Sequence, residues 1–167
     1  GVDPCVPALT HVGMTEFEAG QMAGQYFIDR GHDHGLCANH EPANAAINQR
    51  CSGFESAFAN WPAFAAEKSC SGSPSVCTSS RYTTVDITST FEADKATLVA
   101  ALNANANTDC VLIGGHSAKT QVTAAIADVA AGRAEVIKAG TFDYDESVGA
   151  LVTSGALEFG IHQQQYY

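Results

Sequence analysis

Two hydrophobic periods alternate along this chain, one near four residues and one near two, and the changes between them mark out its elements. In "VGMTEFEAGQMAGQYFIDRG" the apolar positions Ala19, Ala23 and Phe27 fall on one helical face. Gly20 and Gly24 there suit close approach to a sheet, and Gly31 ends the helix. "GLCAN" is a short apolar strand. Next, "EPANAAINQRCSGFESAFA" sets Ile47, Cys51, Phe54 and Phe58 on the buried stripe of a second helix, started by Pro42 and Asn44. "YTTVDIT" is β-branched and reads as a strand. "STFEADKATLVAAL" carries a capping box from Ser89 to Glu92 and buries Leu98, Val99 and Leu102. "CVLIGG" is a buried strand, followed by a helix from Ser117 to Ala131 with Val122, Ala125, Ile126 and Val129 inward. "EVIKAGTFD" is the next strand. Asp145 caps a helix carrying Val148, Leu151 and Val152, which Gly155 ends, and "LEFGIHQQQ" is the last strand.

Strands separated by single helices demand right-handed crossovers, hence a parallel sheet with helices on both faces. The expected fold class is α/β, a three-layer doubly wound parallel sheet of the Rossmann or flavodoxin-like kind. A chain of 167 residues holds one such domain, 1–167. From Trp61 to Arg81 the composition turns to Ser, Gly, Pro and Cys, which reads as a surface excursion from that domain.

Charge narrows the partners. A formal net charge of -10, with no cluster of lysines or arginines, disfavours nucleic acid and anionic lipid surfaces. No apolar run reaches the ~20 residues of a spanning helix, and residues 1–15 lack the blocks of a signal peptide. Six cysteines point to an oxidising, extracytoplasmic compartment: periplasmic, secreted or cell-surface. Cys70 and Cys77 bracket a Ser/Gly/Pro loop that a disulfide would close. Cys5, Cys37, Cys51 and Cys110 leave three pairings open, with buried free thiols at Cys37 and Cys110 as the alternative.

Catalytic signatures are absent from the sequence. There is no paired C-x-x-C zinc spacing, no G-x-S-x-G elbow and no dinucleotide fingerprint, and the glycine-lysine order of "GGHSAKT" fails that of a phosphate loop. His32 and His34 precede a strand and His40 follows it, some 15 Å or more away at ~3.3 Å per residue, which disfavours a metal site. No catalytic residue, cofactor or metal is expected.

In a sheet of this kind ligands bind beyond the carboxyl ends of the strands. The segments there are His40 to Asn44 leading to Arg50, Ile87 to Phe91, Gly114 to His116, Phe142 to Tyr144, and His162 to Gln165. An arginine, an aspartate between aromatics, a further phenylalanine and a glutamine cluster suit a neutral polyhydroxy ligand. Forked donors and acceptors match adjacent hydroxyls, and rings cover the C–H faces of a sugar. Structural roles compete: Arg50 paired with Glu55 or a loop, Asp143 capping the helix near Asp145, Phe91 and Phe142 in the core.

The order "HVGMTEFEAGQMAGQYF", "NAAINQRCSGFESAF", "TFEADKATLVAAL", "CVLIGG", "AGTFDYDES", "SGALEFGIHQQQYY" resembles the second lobe of the type I periplasmic sugar-binding proteins, the ribose-binding kind in particular. Lactose-repressor-like regulators share that fold. The resemblance runs from about residue 10 to 167, interrupted by the cysteine loop. It implies ligand roles for Arg50 in "RCSGF", Asp143 in "TFD", Gln163 in "HQQQ" at a hinge, and the stacking ring Phe91, with Phe142 and His116 beside them. Where ribose binders often place Asn and Asp after the "VLIGG"-type strand, this chain has Gly115 and His116. The family's first lobe has no counterpart, so the resemblance implies an isolated lobe or a fragment. It further implies non-catalytic binding of a monosaccharide or small polyol for transport or sensing, with a membrane transporter or receptor as partner. The alternatives are a receptor or sensor lobe acting through protein contacts, and a flavodoxin-like or redox enzyme using its cysteines.

Overall fold

The computed structural model describes residues 14–59, 81–88, 90–129 and 132–163. Five parallel strands form one sheet: β1 (Gly35–Asn39), β2 (Tyr82–Asp86), β3 (Cys110–Ile113), β4 (Lys138–Phe142) and β5 (Phe159–Ile161). Their spatial order is β2-β1-β3-β4-β5. Five helices connect or flank them: α1 (Glu16–Ile28), α2 (Ala45–Ala59), α3 (Phe91–Ala104), α4 (Lys119–Asp128) and α5 (Glu146–Thr153). This is the expected doubly wound parallel sheet.

The topology explains the layers. From β1 the chain moves one way to β2 and thereafter the other way, so right-handed crossovers place α2 on one face and α3, α4 and α5 on the other. Two cores follow. On one face Ala23, Phe27, Phe54 and Phe58 of α1 and α2 pack on Cys37, Leu112 and Phe142. On the other, Leu98, Leu102, Val122 and Val148 pack on Leu36, Val111, Ile113 and Ala139. The odd and even positions of β1 and β3 thus serve different cores, as period two requires. The direction changes between β1 and β3, and the carboxyl ends of these two strands flank the crevice where such sheets take ligands.

Gly20 and Gly24 serve a contact other than the expected one. They face α2, not the sheet: a Cβ on Gly20 would lie 2.0 Å from the Arg50 carbonyl oxygen, and one on Gly53 would lie 1.9 Å from that of Phe17. The missing side chains let two helix backbones meet, so α1 fixes the position of the turn bearing Arg50. A second tie comes from a disulfide between Cys37 of β1 and Cys51 of α2, so Cys37 is not the buried free thiol that stood as the alternative. Cys110 is a buried free thiol, and burial pushes its pKa well above the ordinary range, which opposes a redox role for it. Cys5, the Cys70–Cys77 pair and nearly all of the Trp61–Arg81 excursion lie outside the described residues.

Capping differs in one place. Thr90 is the N-cap of α3, its side chain accepting from the Ala93 amide, while Ser89 lies outside the described residues. Asp145 caps α5 as expected, accepting from the Val148 amide at 2.7 Å and from the Ser147 hydroxyl at 2.6 Å. Among the described residues no helix is long and apolar enough to cross a membrane.

Candidate ligand-binding site

Four of the expected residues converge at the carboxyl edge of the sheet, with Asp143 at their centre. The first turns of α2 carry Arg50 inward, where it is 3% exposed. Its Nε donates to Glu16 Oε2 at 2.6 Å, and its Nη1 donates to the Gly114 carbonyl at 2.7 Å. Nη1 also stands 3.5 Å from Asp143 Oδ2. The guanidinium carbon lies 4.3 Å from the centroid of the Phe142 ring, a cation over an aromatic face. This guanidinium is therefore shared between two carboxylates, and Glu55 is not its partner. Among the described residues no hydrogen bond occupies Nη2.

Asp143 has φ 63°, the left-handed region that few non-glycine residues adopt. Asp145 does the capping, so Asp143 is released from that role, and its backbone turn aims the carboxylate across the strand ends. Gln163 Nε2 donates to Asp143 Oδ1. His116 bridges from the loop after β3, with Nδ1 3.8 Å from Asp143 Oδ2 and Nε2 3.9 Å from Asp145 Oδ2. Asp143 keeps 28% of its side chain exposed and His116 42%, so these two present polar atoms to solvent while Arg50 backs them.

His40 completes the rim. The Asn39 side chain bonds Asn48 at 2.9 Å and the Glu41 amide at 3.1 Å, which pins the loop after β1. The imidazole then lies against Gly114 and Gly115: a Cβ on Gly115 would fall 2.6 Å from His40 Cε1, 3.1 Å from its Nε2 and 3.2 Å from Asp143 Oδ2. Its buried Nδ1 has no hydrogen-bond partner, and Nε2 is 3.6 Å from Glu41 Oε1. Burial lowers the His40 pKa, against the opposing pull of Glu41 and Asp143.

Two of the expected rings stand outside this convergence. Phe142 is fully buried beneath the guanidinium and offers no face to a ligand; it is a core residue whose ring supports Arg50. Phe91 is 41% exposed at the start of α3, beyond the edge strand β2. It shares the carboxyl edge, yet β2 and β4 are three strand spacings apart, about 14 Å, so Phe91 stands away from Asp143. Tyr144, 47% exposed, is an aromatic at the solvent edge.

Sequence reasoning placed His40 and Gly114 at the carboxyl edge without assigning either a role, and it missed Glu16 altogether. Glu16 is 34 positions before Arg50, and no local period ties the two. His32 and His34 sit at the opposite edge, where Asp109 accepts from the Asp33 and His34 amides at 3.1 Å each. Among the described residues no group of three or more His, Cys, Asp or Glu could hold a metal ion. Two half-open hollows of about 310 Å³ each lie at that amino edge, one beside Ile137 and Lys138, the other beside His34, Arg81 and Tyr82. Neither includes a residue that converges on Asp143.

No protein-family model matches the chain, and no curated protein matches it significantly. Solved structures do. A carbohydrate transporter from Acidothermus cellulolyticus, in complex with myo-inositol, is similar over 94% of this chain and 47% of its own, at 25% identity and TM-score 0.74. A periplasmic sugar-binding protein of a Legionella pneumophila sugar transporter covers 95% of this chain and 53% of its own, at 12% identity and TM-score 0.71. A periplasmic solute-binding protein from Actinobacillus succinogenes with bound D-allose covers 87% and 47%, at 16% identity and TM-score 0.65. The chain spans about half the length of these structures. A five-stranded parallel sheet, helices on both faces and this half-length match together give the chain the fold of a single lobe of the type I, ribose-binding-like periplasmic sugar-binding proteins.

Proposed function

We propose that this chain is the second lobe of a two-lobed extracytoplasmic solute-binding protein and captures a neutral monosaccharide or cyclic polyol without chemically changing it. The observation that carries this reading is the convergence of Arg50, Asp143, His116 and Gln163 on one rim at the carboxyl edge. Asp143 accepts from a ring hydroxyl, Gln163 and His116 flank it, and Arg50 positions the carboxylate from beneath. A neutral ligand suits a rim whose single guanidinium is already matched by Glu16 and Asp143; a phosphate would need positive charge left over. Transport through a membrane partner fits the similar transporter proteins, and sensing through a receptor uses the same lobe.

One lobe supplies half the walls that bury a ligand, so the expected affinity is weak, with Kd of order millimolar, about -4 kcal/mol. The test is saturation-transfer NMR on the 167-residue chain with D-ribose, D-allose and myo-inositol. Saturable transfer from at least one, lost in Asp143→Asn, is the expected result. Asn tolerates the left-handed backbone, so this variant changes charge more than shape. No transfer from any of the three, or equal transfer in the variant, overturns the reading.

A further inference from the structure

The crevice between the ends of β1 and β3 is where the direction of winding changes, and it holds an exchange of side chains between two loops. At position 115, on the β3 side, there is no side chain. On the β1 side, His40 places its Cε1 2.6 Å and its Nε2 3.1 Å from where a Gly115 Cβ would be. Gly115 has φ -162° and ψ 152°, extended backbone open to any residue, so conformation does not require glycine there. The imidazole does. Asp143 Oδ2 lies 3.2 Å from the same point, so the ring edge and the carboxylate border one volume.

We propose that His40 is a specificity-determining residue of this site, its Nε2–Cε1 edge standing in for the side chain that Gly115 lacks and meeting the ligand hydroxyl that also engages Asp143. This rests on the polyol-capture reading above. The chemistry follows from the ring's surroundings. Nδ1 is buried without a partner, and the Glu41 carboxylate near Nε2 favours a proton on Nε2. A neutral ring with Nε2–H is a donor beside the acceptor Asp143, a complementary pair for one hydroxyl group. Arg50, Glu41, Asp143 and His116 are the charged or titratable groups facing the ring, and burial pulls its pKa below the ordinary value. The ring is rigid and held against the Gly114–Gly115 backbone, so it discriminates by hydroxyl position more than a flexible side chain would.

The experiment compares D-allose, D-ribose and myo-inositol on the full chain by saturation-transfer titration, for wild type, His40→Ala, Gly115→Ala and the double variant. His40→Ala is expected to change the ratio of affinities among the three by about tenfold or more. Gly115→Ala, which forces the ring aside, is expected to weaken binding in the presence of His40 and to have several-fold less effect in its absence. A uniform loss across the panel, unchanged ratios, or independent effects of the two substitutions overturns the assignment while leaving polyol capture standing. Failure of the wild type to bind any of the three removes the capture reading, and this assignment with it. A Gly115→Ala melting temperature that recovers when His40 is also replaced checks the steric part without a ligand.

Discussion

Replacing Arg50 with methionine keeps the length and the apolar stem of the side chain and deletes its charge. The residue is 3% exposed, so water does not take the place of what is lost. The Gly114 carbonyl, at 2.7 Å from Nη1, is left without its donor, at a cost of about 1–2 kcal/mol. Glu16 and Asp143 lose their shared cation. Their side chains are 19% and 28% exposed, so solvent screens them in part and the two together account for about 1–2 kcal/mol, less than a fully buried broken pair. The contact over Phe142 is about 0.5–1 kcal/mol, which the methionine sulfur recovers in part. The expected destabilisation is about 3 kcal/mol. With a urea m-value of about 2 kcal/mol/M, the unfolding midpoint by far-UV circular dichroism falls by about 1.5 M. Glu16→Gln in the variant background should then cost clearly less than in wild type, because its partner is already gone. A midpoint shift below about 0.3 M would refute the reasoning, since a guanidinium acting mainly as a waiting ligand group leaves stability nearly unchanged on removal.

Gly53→Ala forces α1 and α2 apart, because the new Cβ would sit 1.9 Å from the Phe17 carbonyl oxygen; at about 2–3 kcal/mol the melting temperature drops by roughly 5–10 °C. An unchanged melting temperature shows that the helices do not cross this closely. Cys37→Ala with Cys51→Ala opens a link of sequence separation 14, and a loss of about 3 kcal/mol in urea unfolding is expected, with no loss if the pair is not formed. Acid should weaken the fold through His40. Its folded-state pKa is lowered by burial, so the neutral ring contributes fully above the ordinary value of about 6.5. As pH falls below that value the unfolded chain binds the proton first, and stability declines toward the depressed folded pKa. His40→Gln should flatten this part of the stability-versus-pH curve, and an identical curve in the variant excludes the assignment.

The periodic pattern by itself determined the elements and their order. Ile47, Cys51, Phe54 and Phe58 announce the buried stripe of α2 because a helix returns to one face every 3.6 residues, and all four are buried. "CVLIGG" announces β3 because a strand covered on both faces must be apolar at every position. Alternation of strand and helix then leaves the parallel doubly wound sheet as the natural arrangement, and the ligand edge follows from it. What the tertiary structure decided are the pairings across the chain. Arg50 with Glu16, Cys37 with Cys51, Gly20 and Gly53 with the facing helix, and His40 with Gly115 depend on how elements cross, and no local period encodes a crossing. Phe142 shows the same limit from the other side. Its place at the end of a strand allowed both a core residue and a ligand ring, and its complete burial beneath the guanidinium assigns it to the core. Local sequence sets which faces are apolar, because that depends on a few neighbouring side chains; which polar groups meet is set by distances that exist once the chain has folded.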